Sequence, residues 1–211
     1  MIPSKQEMLK AFEERHGKEI QQKFLSSTVA VCGLGGLGSN ISVSLARAGI
    51  GKLILIDFDK VDITNLHRQQ YKASQIGMLK TDALLENLKE IAPYTEYETH
   101  CVRISEDNIY ELLKDADIVC EAFDNAAAKA MLANFVLEKF PEKYLVSASG
   151  MAGIGSGNLI KTRRISDKFY LCGDGISDVN KSGGLYSSRV MLCAAHQAHT
   201  VLRIIAGKFD I

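Results

Sequence analysis

A run of glycines between two short apolar segments constrains this chain more than any other feature. Thr28-Val-Ala-Val-Cys32 leads into Gly33-Leu-Gly-Gly-Leu-Gly-Ser39, and Lys52-Leu-Ile-Leu-Ile-Asp57 follows. Gly33, Gly35 and Gly38 fit the GxGxxG spacing, with Gly36 as an extra glycine. Behind the turn, Ile41, Val43, Leu45 and Ala46 predict a helix over 38–49, and Gly49 and Gly51 end it. Strand, glycine turn, helix and strand within about 30 residues make a βαβ unit. The turn needs glycine because it is tight and its backbone must approach a phosphate closely. The helix start then offers that phosphate free N–H groups and a positive dipole end. Asp57 ends the second strand 24 residues after Gly33, where a carboxylate can accept hydrogen bonds from ribose hydroxyls. The turn alone does not separate NAD(H) from ATP.

The rest of the chain alternates in the same way. Apolar runs predict strands at 116–122 and 144–149, and helical spacing predicts helices over 79–91, 106–114 and 125–139. A helix over 5–25, with a break at His16-Gly17, precedes the βαβ unit. After Gly150 the pattern changes to a hairpin-like pair, 157–164 and 168–172. A glycine-rich loop over 173–184, expected to be mobile, and a closing helix over 186–206 follow. The expected class is α/β: a Rossmann-like, doubly wound, mostly parallel sheet with helices on both faces. An N-terminal helical segment (1–25) and a mixed C-terminal strand extension complete one expected domain over 1–211.

Composition narrows the function classes. Lys plus Arg and Asp plus Glu each total 25, so the formal net charge is zero. This argues against a general nucleic-acid or membrane-surface binder. No apolar run approaches the roughly 20 residues of a spanning helix. The charged N-terminus, Met1 to Lys23, does not read as a secretory signal. Cys32, Cys101, Cys120, Cys172 and Cys193 are odd in number and scattered, the usage of a reducing compartment. The expected location is therefore cytoplasmic.

A dense polar stretch follows the second strand, Asp57-Phe-Asp-Lys-Val-Asp-Ile-Thr-Asn-Leu-His-Arg-Gln-Gln70, and Lys80 opens the next helix. A dehydrogenase would place a hydrophobic nicotinamide slot here. Asn65, Arg68 and Lys80 instead suit a triphosphate, Arg as a fork and Lys as a point charge. The same residues would also serve as a capped, solvated loop. Asp124 and Asn125 lie where a strand gives way to a helix, on the same sheet edge as the glycine turn. Asp124 could hold Mg²⁺ through hard oxygen contacts, and either residue could cap the helix.

GLGGLGSN, LIDFDKVDITNLHRQ, the G-x-x-K of Gly77 to Lys80, and the later Asp124-Asn125 together resemble the ThiF/MoeB/HesA family, bacterial relatives of ubiquitin-activating enzymes. The resemblance runs from about residue 25 to 150 and weakly through the last helix. It implies MgATP-dependent adenylation of the C-terminal glycine of a small ubiquitin-fold sulfur carrier ending Gly-Gly, with pyrophosphate released. By resemblance, Gly36 and its neighbours take the phosphates and Asp57 the ribose. Asn65 and Arg68 grip the phosphates, Lys80 stabilises charge at the α-phosphate, and Asp124 binds Mg²⁺. The family also implies a homodimer in which an N-terminal arginine, here Arg15, reaches the partner's nucleotide.

The chain lacks the two CxxC pairs of longer members, so no zinc is expected. It resembles the short ThiF subgroup found with thiamine-biosynthesis genes, which implies a ThiS-like carrier. Cys172, beside Gly173, is the candidate for a covalent thiol, with burial at a strand end its favoured reading, and the other four cysteines read as core. His196 and His199 share a helix face and read as packing residues. Three alternatives stand beside carrier adenylation: an NAD(H)-dependent oxidoreductase, adenylation of another carboxylate, and a non-catalytic nucleotide-binding module that regulates a partner.

Overall fold

The computed structural model describes residues 2–211. The first apolar segment forms β1 (Thr28–Cys32), and the segment after the glycine turn forms β2 (Lys52–Ile56). The strands β3 (Glu96–His100), β4 (Ile118–Glu121), β5 (Tyr144–Ala148), β6 (Lys161–Ser166) and β7 (Phe169–Gly173) complete one seven-stranded sheet. Its order is β3-β2-β1-β4-β5-β7-β6. Every pairing is parallel except the last, where β6 runs antiparallel to β7.

β1 is apolar on both faces because both are covered. Val29 and Val31 face one core, with Leu53 and Leu55 of β2. That core is closed by α3 (Gly36–Ala48), α4 (Lys80–Ile91) and α8 (Ser187–Ile205), through residues such as Ile41, Leu84 and Val201. Ala30 and Cys32 face the other core, with Ile54 and Ile56. There α5 (Ile109–Leu113) and α6 (Ala126–Lys139) contribute Ile109, Leu113, Leu132 and Val136. The period-2 alternation of the strands thus divides the interior into two layers.

The N-terminal helix divides as the sequence suggests. Gly17, at φ +86°, separates α1 (Lys5–His16) from α2 (Lys18–Leu25). This pair sits at the amino edge of the sheet: Gln21 Nε2 donates to the Gly49 carbonyl (3.3 Å), and Gly51 N–H donates to Phe24 (3.0 Å). No described helix is long and apolar enough to cross a membrane.

Three elements differ from expectation. Residues 96–100 form an edge strand that the sequence reading missed. The helix after the glycine turn starts at Gly36 rather than 38, which brings the helix N-terminus into the turn itself. The 173–184 segment, expected as a loop throughout, holds a helical turn, α7 (Val179–Ser182).

Candidate nucleotide site

The strand order reverses direction between β1 and β4, and the carboxyl ends of these strands flank a crevice where α/β sheets bind ligands. The glycine turn leaves β1 there. Gly33 has φ +91°, and a Cβ would meet the Ala122 carbonyl at 2.9 Å and the Phe123 ring at 3.0 Å. At Gly38 a Cβ would overlap the Gly33 carbonyl oxygen. These two glycines are demanded by packing. Gly35 is not: the nearest atom to its Cβ position is Gln69 Nε2 at 3.8 Å. That space opens at the N-terminus of α3, whose first turn has no side-chain cap. Its leading N–H groups have no partner inside the helix. Gly38→Ala is expected to cost on the order of 3 kcal/mol, since backbone itself must move. ATP titration should show binding lost and thermal melting a lower Tm.

Three side chains lock the following loop onto this turn. Asp57, buried, accepts the Leu34 N–H at one carboxylate oxygen (2.6 Å) and the Asp59 N–H at the other (2.8 Å). Tyr71 O–H donates to the Leu34 carbonyl (2.7 Å). Asn40, on α3, donates to the carbonyls of Gly36 (2.6 Å) and Arg68 (3.2 Å). Arg68 is held over the turn: a Cβ on Gly36 would lie 3.5 Å from its Cγ. Its Nη1 donates to the Thr64 carbonyl (3.0 Å), while its Nε is buried with no partner. Asn65 accepts the Asp62 N–H at 3.1 Å, so it also caps its own helical turn.

Lys80 is buried at the start of α4, and its Nζ pairs with Asp59 at 2.9 Å. Asp59 is half exposed, so the ammonium has one solvent-facing partner that a ligand anion could replace. At the exit of β4, Asp124 is exposed, and Asn125 caps α6 by accepting the Ala128 N–H (3.0 Å). The glycine turn, Asp57, Arg68, Lys80 and Asp124 therefore follow strand ends or open helices on one edge of the sheet. A set of free amides, one guanidinium and one ammonium can hold a polyphosphate.

The family model described as the ThiF family matches residues 4–210. The chain belongs to the ThiF family. It is 29% identical over 195 residues to an adenylyltransferase and sulfurtransferase UBA4 from Lodderomyces elongisporus, covering 90% of this chain and 42% of that protein. It is 39% identical over 137 residues to an adenylyltransferase and sulfurtransferase MOCS3 from Culex quinquefasciatus, covering 64% of this chain and 31% of the relative. It thus spans less than half the length of these relatives. Its fold is similar to that of E. coli tRNA N6-threonylcarbamoyladenosine dehydratase, TcdA, solved with ATP: TM-score 0.86 and 20% identity, over 99% of this chain and 98% of that one. E. coli MccB also shares the fold, with TM-score 0.72 and 20% identity, over 94% of this chain and 65% of MccB.

Of the two readings of Cys172 in this ThiF-family chain, the structure shows burial at a strand end rather than a loop edge: it lies on β7 fully buried, and burial pushes its thiol up. One cysteine expectation changes with the structure. Cys101, expected in the core, is exposed, because β3 ends at His100. Arg15 is exposed on α1, at the amino edge of the sheet, opposite to the glycine turn. Any contact of Arg15 with a nucleotide would need a second copy.

The site also rests on buried charges that sequence spacing did not reveal. Glu121, fully buried at the end of β4, receives Lys129 Nζ at 2.9 and 2.8 Å, the Ser147 hydroxyl and the Phe123 N–H (2.7 Å). Arg189 on α8 pairs with Asp174 at 2.6 Å and donates to the carbonyls of Gly155 and Ser156 (2.7 Å for the latter). Burial would raise the Asp174 carboxyl. Hydrogen bonds from Ser177, Ile176 and Arg189 outweigh that and hold it at about 2. The next residue on α8, Val190, packs on Gly36. The Asp174–Arg189 pair thus fastens residues 155–156 and 174–177 beside the phosphate turn.

Proposed function

We propose that this chain is an ATP-dependent adenylyltransferase that activates the C-terminal glycine carboxylate of a small ubiquitin-fold sulfur carrier ending Gly-Gly. A ThiS-like carrier, serving thiazole formation in thiamine biosynthesis, is the preferred substrate. The observation that carries this reading is the meeting of an uncapped helix N-terminus with Arg68, whose buried Nε has no partner, and with buried Lys80. Membership of the ThiF family favours ATP over a nicotinamide dinucleotide.

MgATP supplies an electrophilic α-phosphorus with pyrophosphate as its leaving group. The residues fit it: open space at Gly35, unpaired amides behind it, and an exposed Asp124. Mg²⁺ would be held by the Asp124 carboxylate together with phosphate oxygens. In the proposed assignment, Gly33, Gly35, Gly36 and Gly38 shape the phosphate cradle, and Asp57 keeps lone pairs free for the ribose. Asn65 and Arg68 hold the phosphates, and Asn125 keeps the α6 start in place. Lys80 moves from Asp59 to the charge that develops at the α-phosphate. Two anions must meet in this reaction, so positioning and charge neutralisation account for most of the rate. No side-chain nucleophile takes part.

The proposed assembly is a homodimer in the cytoplasm, with Arg15 serving the partner's site. Five free cysteines fit such a reducing compartment. A second reading keeps the chemistry and changes the carboxylate, and the near end-to-end likeness to TcdA supports it. ATP–pyrophosphate exchange tests both. Exchange should appear when a ubiquitin-fold carrier ending Gly-Gly is added and vanish when its last glycine is removed. Exchange indifferent to that glycine would contradict the carrier reading.

A further inference from the structure

A cavity of about 390 Å³ lies away from the glycine turn, between β6, β7, the second half of α8 and the final residues of the chain. That volume is in the range of sites for small organic molecules. Tyr170, Ile204 and Ile211 give it apolar walls. Lys161, Arg203 and Lys208 bring three cations to it, against the side-chain carboxylate of Asp210 and the terminal carboxylate carried by Ile211 in this chain. Asp210 is already engaged by Arg203 at 2.9 Å, so Lys161 and Lys208 face one remaining carboxylate and leave a net positive charge.

The floor is polar and directional. Thr200 O–H donates to the His196 carbonyl (2.7 Å), one turn back along α8. Thr162 Oγ1 lies 3.0 Å from His196 Nδ1 and 3.6 Å from Cys172 Sγ. A neutral imidazole carries one N–H and one acceptor nitrogen, so His196 can meet Thr162 with one ring nitrogen and keep the other for a ligand. Burial and the neighbouring His199 lower the pKa of His196, which keeps the ring neutral at pH 7. His196 also lines the cavity. An apolar wall beside a neutral imidazole and a net positive charge from Lys161 and Lys208 matches a ligand with an apolar body and an anionic end.

We infer that this cavity is a binding site for a small amphipathic carboxylate, an acyl or aryl acid, separate from the nucleotide site. The test follows the His196 imidazole protons by NMR, assigned with His196→Gln, while benzoate, hexanoate, inorganic phosphate or neutral benzyl alcohol is added to the full chain. Benzoate or hexanoate should shift them saturably below about 10 mM, with phosphate and benzyl alcohol at least about tenfold weaker. The Lys161→Gln/Lys208→Gln double variant should bind benzoate and hexanoate at least about tenfold more weakly. Both lysines are exposed, so its Tm and its response to ATP should match the parent. No saturable shift with either acid, phosphate binding as well as the acids, or unchanged affinity in the double variant would overturn the inference.

Discussion

Lys80→Ala should lower the rate of acyl-adenylate formation by about 10²–10³ while leaving the fold intact. The size follows from position. Lys80 is a buried ammonium at this edge of the sheet, and in a water-poor site a fixed positive charge stabilises developing negative charge strongly. The fold is spared because Lys80 pairs only with half-exposed Asp59, which water can solvate once the lysine is gone. The change removes the buried charge itself, so the large penalty of an orphaned buried ion does not arise. Lys80→Arg should not restore the rate, since a planar fork does not replace a compact ammonium in a buried slot. Single-turnover measurement of AMP-adduct formation, beside a thermal melt, separates the two effects. A Lys80→Ala protein with near-parental rate would remove Lys80 from the reaction.

Arg189→Ala should be the most destabilising single change near the site, costing about 3–5 kcal/mol. Asp174 would remain with its side chain 4% exposed and without its ion-pair partner. The carbonyls of Gly155 and Ser156 would lose their guanidinium donor as well. The double variant Asp174→Asn/Arg189→Met should recover part of the loss, because no buried charge is left unanswered. Urea unfolding of the three proteins measures this. A cost below about 1 kcal/mol for Arg189→Ala would mean that water reaches Asp174 and that the pair does not hold these loops.

Much of this molecule was legible in the sequence because its signals were local. The glycine turn, the flanking apolar strands and the helices behind them repeat at short spacing, and each lies within two or three residues of its expected position. Strand β3 was hidden for a physical reason. It is an edge strand, Glu-Tyr-Glu-Thr-His, whose charges are answered by Lys52 on β2 at 3.1 and 2.7 Å, so it carries no apolar run. Alternation of Tyr97 and Thr99 between charged residues was the available hint. Cys101 was read as core for a related reason, since β3 ends at His100 and leaves the next thiol outside. The buried pairs Glu121–Lys129 and Asp174–Arg189 were the least legible. Asp174 and Arg189 are far apart along the chain, and nothing in local pattern says that a charge is answered. Asn40 was the exception. A polar residue after GLGGLGS, on a helix face otherwise buried, could have been read as a tie to the loop it holds.

The central claim is that a carboxylate attacks the α-phosphorus of ATP at this edge of the sheet. A ubiquitin-fold carrier labelled with ¹⁸O in its C-terminal carboxylate tests it most directly. The carrier is incubated with the enzyme and MgATP, its adenylate is cleaved with hydroxylamine, and the released AMP is weighed by mass spectrometry. AMP carrying one ¹⁸O atom from the carrier, lost in the Lys80→Ala protein, is the predicted result. Carrier-dependent AMP without the label would show that water, not the carboxylate, attacks phosphorus, and would contradict the reading.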